Sequence, residues 1–276
     1  MNFCTYFDSN YLQRGLACYH TLNDFLKNKL KFYVICCDDK VKEVMGKFEN
    51  IQVITLQEME DYYPDLLSVK NKRISKEYFA TMSPILPMFV FDKYNCETLY
   101  YTDADMAFWS DPEEIADVFG DKSLMVTDHG FEPPRAGIRF NVGILGYRND
   151  SYCREFLDWW AKRCIEWCYW ITTNDGKCGD QGYLNILHDQ PDLFKNHFSC
   201  PHPGINLGPW NVIKHKVAEK DGTPILDDKY NLICYHYHQF ELINNSYKPT
   251  SWKINEDIKK FIYEPYFKLM TDIKEE

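Results

Sequence analysis

The sequence lacks several features that would assign it to common classes of protein. It has no run of about 18 apolar residues that could form a membrane-spanning helix. Met1-Asn2 leads straight into a strand pattern, without the charged and apolar leader of a signal peptide. The formal charge of −10 leaves little positive surface for binding nucleic acids. We therefore expect a cytoplasmic protein with no transmembrane segment and no nucleic-acid partner.

Two sequence motifs are also missing. The 11 cysteines include no Cys-x-x-Cys pair, so we interpret them as reduced thiols, and helix spacing explains Cys164 and Cys168 better than a zinc site does. A glycine-rich phosphate loop does not follow the first strand, because only Gly15 and Gly46 occur in the first 48 residues. This absence disfavours a nucleotidyltransferase.

Strand and helix patterns alternate along the chain, which predicts a doubly wound α/β sheet. No linker is long enough to separate independent domains, and internal repeats are lacking. The hydrophobic patterns predict strands over 3–7, 31–37, 51–55, 98–105, 123–127, 139–148 and 232–238, and helices over 11–30, 41–48, 78–94, 150–170 and 252–270.

A pair of carboxylates, Asp103 and Asp105, ends the apolar strand that begins at Thr98. Side chains two residues apart in an extended chain point to the same side, so both carboxylates can converge on one ion while Ala104 faces away. Hard oxygen ligands suit Mg²⁺ or Mn²⁺. An isolated Asp-x-Asp is more often a solvated turn, so the interpretation depends on the motifs that accompany it.

The accompanying motifs occur in a fixed order along the chain. They are Asp8-Ser9-Asn10-Tyr11 after the first strand, Asn141 and Gly143 in the strand over 139–148, the stretches 179–185 and 206–211, and the strand over 232–238 with His236 and His238. In this order the motifs resemble those of the retaining GT-A glycosyltransferases of the glycogenin and lipopolysaccharide galactosyltransferase family. The resemblance extends from residue 3 to about residue 240.

The resemblance implies an α/β fold with a single GT-A domain, in which helices flank a Rossmann-like mixed sheet. Residues 1–240 would form this domain, with 1–105 as its nucleotide-binding half and 106–240 as its donor-sugar and acceptor half. Residues 241–276 would form a C-terminal extension with a helix. The implied activity is metal-dependent, retaining transfer of a hexosyl group from a nucleotide sugar, expected to be a UDP-sugar, to a saccharide or glycoconjugate acceptor. Mn²⁺ or Mg²⁺ would be the cofactor, and peripheral contact with a membrane stays open.

The resemblance also implies roles for the residues that would bind the nucleotide. Asp8 and Asn10 would hydrogen-bond the uracil and ribose, and Tyr11 would stack on the base, although Asp8 could simply cap the first helix. Lys76 ranks above Arg73 as the basic group near the diphosphate, where it would offset leaving-group charge. In the donor site, Ala104 would lie between the two carboxylates, Asp103 and Asp105.

Asn141, Asp180 and Gln181 would line the donor sugar by the same resemblance. A retaining enzyme needs a polar group or carboxylate beneath the anomeric carbon, either to stabilise an oxocarbenium-like state or to attack it. Asp180 and Gln181 are the candidates for that role. The alternative is that Asp180 caps the helix beginning at Gln181.

The two histidines of the strand over 232–238 share one face. Successive same-face positions on a strand lie about 6.6 Å apart, so we expect only one to join Asp103 and Asp105 on a metal ion. We choose His236, which follows directly on the apolar part of the strand. The family's glycine after the histidine is replaced by His238-Gln239, and the Lys-Pro pair arrives late, which weakens the case for Lys248 as a diphosphate ligand.

Two other functions fit parts of the sequence. A haloacid-dehalogenase-like phosphatase would use Asp103 as nucleophile and Asp105 as acid, with Thr127 and Asp227-Asp228 as later elements. That family has its motif near the start of the domain, whereas here a long α/β pattern precedes it. A non-catalytic protein that binds a sugar or a partner through a transferase fold also stays open, because fold alone does not establish function.

Overall fold

The computed structural model describes residues 1–132, 138–173 and 176–273. The strands of the main sheet are β1 (Asn2–Phe7), β2 (Lys31–Cys36), β3 (Ile51–Thr55), β4 (Thr98–Thr102), β6 (Leu124–Asp128), β7 (Phe140–Arg148) and β8 (His197–Ser199). Shorter strands outside it are β5 (Met106–Phe108), β9 (Val217–Lys220), β10 (Thr223–Leu226), β11 (Tyr230–Asn231), β12 (Cys234–His236), β13 (Glu241–Ile243) and β14 (Ser246–Lys248).

The helices alternate with the strands. They are α1 (Leu12–Leu26), α2 (Asp39–Met45), α3 (Leu56–Tyr62), α4 (Asp65–Lys70), α5 (Ser75–Thr81), α6 (Ile85–Tyr94), α7 (Glu113–Phe119), α8 (Ser151–Glu166), α9 (Ile186–Asp189), α10 (Glu256–Ile258) and α11 (Glu264–Asp272). Single 3₁₀ turns cover Ser9–Tyr11, Lys27–Lys29, Gln181–Asn185 and Val212–Lys214, and a π turn over Lys259–Tyr263 joins α10 to α11.

The main sheet has seven strands in the order β3-β2-β1-β4-β7-β6-β8. The first four run parallel to one another. Strand β7 runs antiparallel to both of its neighbours, β4 and β6, and β8 is parallel to β6. The sheet is therefore mixed, and helices cover it on both sides, which confirms the predicted Rossmann-like α/β architecture.

Both faces of the sheet are buried because alternate side chains of each strand enter different clusters. In β1, Phe3 and Phe7 pack with Leu16 of α1 on one face, whereas Cys4 packs on the opposite face with α6 and α8. This two-sided burial explains why the first strands are apolar throughout rather than alternating. It also leaves the carboxyl ends of the strands as the polar edge of the sheet.

Several predicted elements have other bounds in the structure, and the largest differences are in the helices. The helix predicted over 78–94 is divided into α5 and α6, because Pro84 lies at the start of α6 and its ring cannot continue α5. Pro87 is tolerated in the first turn of α6, where backbone N–H groups have no helical acceptor. The helix predicted over 150–170 ends at Glu166, where Trp167 becomes extended with a φ of −155°.

The C-terminal helix begins at Glu256 rather than at 252, because the Asn255 side chain accepts a hydrogen bond from Ile258 N and caps it. It packs on the domain: the Tyr266 ring stacks on Tyr237 at a centroid distance of 3.5 Å and an angle of 8°. Of the predicted extension 241–276, the last three residues lie outside the described part of the chain.

All 11 cysteines are free thiols, and most of them are buried. Within residues 1–132, 138–173 and 176–273, no helix is both long enough and apolar enough to cross a membrane.

Candidate active site

The two carboxylates follow β4, but the strand predicted over 98–105 ends at Thr102, and residues 103–105 form a turn in which Met106 N donates to Asp103 O at 3.3 Å. The extended backbone expected for this pair is therefore wrong. The backbone fixes both carboxylates through further hydrogen bonds. Asp103 N donates to Gly143 O of β7 at 2.9 Å, and Tyr237 N donates to Asp105 O at 2.8 Å. Strand β5 begins at the next residue and pairs antiparallel with β12, which brings His236 opposite Met106. A contact distant in sequence therefore places an imidazole directly beside the carboxylates.

The His236 ring faces both carboxylates. Its Nε2 atom lies 3.0 Å from Asp105 Oδ1 and 3.6 Å from Asp103 Oδ2. Asp103 is also positioned by Tyr101, whose hydroxyl donates a hydrogen bond to Asp103 Oδ1 at 2.6 Å. His236 Nε2 therefore lies within ion-pairing distance of both predicted carboxylates.

Gly143 makes room for the His236 ring. A Cβ atom at this position would lie 2.6 Å from His236 Nδ1, 2.6 Å from Asn141 Oδ1 and 2.5 Å from Asn206 Oδ1. No Cβ atom fits there unless these polar side chains move. His236 Nδ1 is buried and, among the described residues, has no hydrogen-bond partner.

The strand that carries the histidines is shorter than predicted. Strand β12 ends at His236, and the chain turns at His238, with Gln239 in the left-handed region at a φ of 64°. The turn returns His238 to the site, so that one ligand atom each from Asp105, His236 and His238 lie within 4.8 Å of one another. We expected only one histidine at the metal because an extended strand would hold the two apart. The chain turns at His238, so the assumption of an extended strand is wrong.

Burial and neighbouring charges shift the pKa values of the three groups. Burial raises the pKa of Asp103, and Asp105 adds to this effect. At Asp105, burial acts in the same direction but attraction to His236 outweighs it, so the pKa is lowered. Burial would lower the pKa of His236, yet Asp105 and its hydrogen bond raise it. These shifts favour an imidazolium beside a carboxylate.

The residues fit a divalent metal ion. Two carboxylates and an imidazole are a donor set that Mn²⁺ accepts. A metal bound to the same groups would replace the proton on His236 Nε2, since a metal-bound imidazole is neutral. Nδ1 would then carry the remaining proton of the ring.

A cavity of about 640 Å³ opens over these groups. Among the described residues, 23 from several elements line it, including the predicted residues Asp8, Asn10, Tyr11, Lys76, Asp103, Ala104, Asp105, Asn141, Gln181 and His236. A volume of this size is typical of a small-molecule site. The structure thus brings the predicted nucleotide, metal and sugar residues to one cavity, with the exception of Asp180.

The turn after β1 serves as a cap and also borders the cavity. Asp8 Oδ1 accepts a hydrogen bond from Asn10 N at 3.0 Å, and Asp8 Oδ2 accepts one from Asn10 Nδ2 at 3.1 Å. Tyr11 is 45% exposed, with the Arg14 guanidinium 5.0 Å from its ring centroid. Asp8 therefore caps the 3₁₀ turn over Ser9–Tyr11 rather than α1, and the Tyr11 ring stays exposed at the cavity.

Asn141 belongs to a buried hydrogen-bond network. Its Oδ1 accepts from Gly143 N at 2.7 Å and from Asn206 Nδ2 at 2.9 Å, and Asn206 Nδ2 also donates to Thr127 Oγ1 at 2.6 Å. Asn141 Nδ2 lies 3.1 Å from His129 Nε2. Burial, assisted by His236, lowers the pKa of His129 to about 3, so this ring is neutral and accepts the bond. Asn141 is thus rigidly oriented at the cavity wall.

Asp180 caps the 3₁₀ turn that carries Gln181. Its Oδ1 accepts from Gln181 N at 2.9 Å, and Trp160 Nε1 donates to its carbonyl oxygen at 2.9 Å. Asp180 is 1% exposed and lies behind the cavity wall, whereas Gln181 lines it. Burial, with a contribution from Asp103, raises the pKa of Asp180 to about 7.

The two basic candidates before α5 have different surroundings. Lys76 lines the cavity, with Nζ 4.3 Å from the centroid of Trp170. Arg73 is buried and does not line it, because its guanidinium donates to Thr81 Oγ1 and to Ile165 O. The ranking of Lys76 above Arg73 agrees with this placement.

Aromatic side chains form one wall of the cavity, which the sequence did not predict. Trp210 packs edge-on against His129, His236 and His238 at centroid distances of 5.4, 5.1 and 5.9 Å. Phe131 stacks parallel to His129 at 4.5 Å and to Trp252 at 5.9 Å. These residues come from segments that are distant in sequence, so no local sequence pattern predicts that they are in contact.

Comparison with solved structures identifies the fold. The galactosyltransferase LgtC, in complex with donor and acceptor sugar analogs, matches with a TM-score of 0.65 at 16% identity, over 99% of this chain and 96% of that chain. The glycosyltransferase GlyE of Streptococcus pneumoniae TIGR4 matches with a TM-score of 0.59 at 15% identity, over 99% and 60%. Mouse xyloside xylosyltransferase 1 matches with a TM-score of 0.54 at 11% identity, over 87% and 98%. The protein therefore has the GT-A fold of glycosyltransferases, as the sequence resemblance implied.

Sequence comparison gives the family. The chain belongs to the family of the uncharacterized protein YfnD of Bacillus subtilis (strain 168), with 31% identity over 278 aligned residues that cover 96% of this chain and 87% of YfnD. The uncharacterized protein YfnF of the same organism is 28% identical over 279 aligned residues, covering 96% and 89%. No family model matches the chain.

Proposed function

We propose that the protein is a metal-dependent, retaining glycosyltransferase that moves a hexosyl group from a UDP-sugar to a saccharide or glycoconjugate acceptor. The contact of His236 Nε2 with both Asp103 and Asp105, at the wall of a large cavity, is the observation that carries the proposal. The GT-A fold supports it, since the carboxyl ends of α/β strands are where nucleotides bind.

The three side chains would hold Mn²⁺ or Mg²⁺. When bound, the metal supplies positive charge that offsets the charge developing on the nucleoside diphosphate. Asp8 and Asn10 present polar groups at the adjacent edge of the cavity, and Tyr11 presents an exposed ring. We assign the uracil and ribose to these three residues.

The donor sugar would lie against Asn141 and Gln181, which both line the cavity. We assign Gln181 to the region beneath the anomeric carbon, where a polar group stabilises an oxocarbenium-like state. Asp180 would act on the reaction through Gln181, because Asp180 Oδ1 accepts a hydrogen bond from the backbone N–H of Gln181. Lys76, at the same cavity, would offset negative charge on the diphosphate.

The two halves of the domain would divide these tasks. Residues 1–105 carry Asp8, Asp103 and Asp105 for the nucleotide and metal, and residues 106–240 carry Asn141 and Gln181 for the sugar and contribute His236 to the metal. Eleven free cysteines support a cytoplasmic location, because thiols stay reduced there.

The phosphatase alternative loses its supporting residues in the structure. Asp227 accepts from Lys216 N and pairs with His215 at 2.7 Å, and Asp228 pairs with Lys216 at 2.6 Å. Both carboxylates are thus engaged with residues around β9 and do not line the cavity. A phosphatase would need them beside Asp103.

A ligand screen tests the proposed function. Thermal unfolding would be followed with UDP, UDP-glucose and UDP-galactose, each with Mn²⁺ and with chelator, and hydrolysis of the UDP-sugars would be measured in parallel. We expect UDP with Mn²⁺ to raise the unfolding temperature clearly more than UDP in chelator, since a ligand at about 100 times its Kd adds about 2.7 kcal/mol.

Two variants make the screen specific. Asp105→Asn should lose the metal-dependent shift, and Asp121→Asn, an exposed aspartate outside the cavity, should keep it. Equal shifts with and without metal would contradict the metal-dependent site. Metal-dependent UDP binding without hydrolysis or transfer of any sugar would favour a non-catalytic binding protein.

A further inference from the structure

The turn at the end of β12 places a second imidazole at the metal cluster. We infer that His238 is a further metal ligand, and that it makes the site select Mn²⁺ or another first-row transition ion over Mg²⁺. The inference rests on the proposed metal site and deepens it, because Asp103, Asp105 and His236 alone would not make this distinction as strongly.

The position of His238 is built into the fold. Phe240 N donates to Tyr237 O at 2.9 Å and closes the turn, and Gln239 takes the left-handed conformation at its tip. Ser251 N and Oγ both donate to Gln239 Oε1, at 3.3 and 2.5 Å, which ties the turn to the C-terminal segment. The turn is therefore fixed by the backbone and by a side chain from another segment.

The imidazole of His238 is directed to the cluster. Its ligand nitrogen lies within 4.8 Å of both a His236 nitrogen and an Asp105 oxygen. Two ligands of one ion, each about 2.1 Å from it, are separated by no more than about 4.3 Å, so a small rotation of an exposed side chain completes the set. Trp210 packs against both rings and limits the orientations that they can take.

The donor set decides which ion is favoured. Mg²⁺ demands oxygen ligands and keeps several waters, whereas Mn²⁺, Co²⁺ and Zn²⁺ accept imidazole nitrogen. Asp105, His236 and His238 would supply three positions of a six-coordinate ion, and Asp103, whose Oδ2 atom lies 3.6 Å from His236 Nε2, would supply a fourth. Two positions would remain for oxygen atoms of a diphosphate, which agrees with the proposed donor.

Metal titration of the whole protein tests the inference. Isothermal titration with MnCl₂ and with MgCl₂ would compare the wild type, His238→Gln, His236→Gln and His188→Gln. His188 is exposed on α9, outside the cavity, and serves as the matched control. We expect His238→Gln to weaken Mn²⁺ binding about 10- to 100-fold and to leave Mg²⁺ binding within about twofold, so that the preference for Mn²⁺ falls.

Pulsed electron paramagnetic resonance of the Mn²⁺-loaded wild type supplies a readout that does not depend on any variant folding. Couplings to two imidazole nitrogens are expected, and one should disappear in His238→Gln. A single coupled nitrogen in the wild type, or unchanged Mn²⁺ affinity in His238→Gln beside a loss in His236→Gln, would overturn the role of His238 and leave the proposed function intact. Absence of Mn²⁺ binding in the wild type would overturn both.

Discussion

Replacing Asp180 with asparagine is expected to stabilise the protein at neutral and alkaline pH. Asp180 is 1% exposed, and within the described residues its Oδ2 atom has no hydrogen-bond partner. Burial and the nearby Asp103 raise its pKa to about 7. An asparagine side chain has an oxygen that can accept the hydrogen bond from Gln181 N, and it has no group that ionises.

The magnitude follows from the two pKa values. The folded pKa of about 7 lies above the ordinary value of 3.8 for the unfolded chain, so the folded state holds the proton more tightly. Stability from this group is fully present below pH 3.8, declines as the pH rises, and is lost above about pH 7. At about 1.4 kcal/mol for each pH unit, the loss approaches ~4 kcal/mol.

Urea unfolding at several pH values measures this effect. The free energy of unfolding of Asp180→Asn minus that of the wild type should grow from pH 5 to pH 8, in buffer with chelator, and then level off. Asp121→Asn should show no such trend, because Asp121 is exposed. A difference that is constant with pH, or a variant less stable than the wild type at pH 8, would contradict the raised pKa of the buried Asp180 carboxyl.

Further substitutions probe other parts of the site. Asp105→Asn should abolish Mn²⁺-dependent UDP binding in a calorimetric titration. Its melting temperature without ligand should change only slightly, because the substitution removes repulsion from Asp103 as well as attraction to His236. Unfolding of this variant would show that Asp105 is needed for the fold. Gly143→Ala should cost about 1–3 kcal/mol in urea unfolding and weaken Mn²⁺ binding, since its Cβ would lie 2.5 to 2.6 Å from three polar atoms. Gly146→Ala is the control, where the nearest atom lies 3.1 Å away, and an equal effect at both would contradict the role of Gly143. Lys76→Gln should weaken UDP binding with no change in melting temperature, and unchanged affinity would remove Lys76 from the diphosphate site.

The sequence predicted those features that depend on local periodicity. The apolar strand pattern before them places Asp103 and Asp105 at a strand end, and the accompanying apolar strands and helices indicate the α/β class. The two-residue strand period expected for the pair does not hold, because residues 103–105 form a turn between β4 and β5. Asp8 was expected from its place at the carboxyl end of the first strand, and Gln181 from the family resemblance. Each of these residues lies at the cavity in the structure.

The remaining features depend on contacts between distant segments. The pairing of β5 with β12 brings His236 to the carboxylates, and a turn that no strand pattern reveals brings His238 with it. Asn206 was noticed only as part of a motif, yet it holds Asn141 from 65 residues away. Asp180 was expected at the sugar, but burial of its side chain behind Gln181 follows from how the 3₁₀ turn packs on α8.

A crystal structure of the protein with UDP and Mn²⁺ would show whether the proposed site binds both. We expect a metal ion bound by Asp103, Asp105 and His236 and by the diphosphate, with the uracil near Asp8 and Tyr11. UDP bound elsewhere in the cavity, or a nucleotide held there while Mn²⁺ binds none of these three side chains, would contradict it.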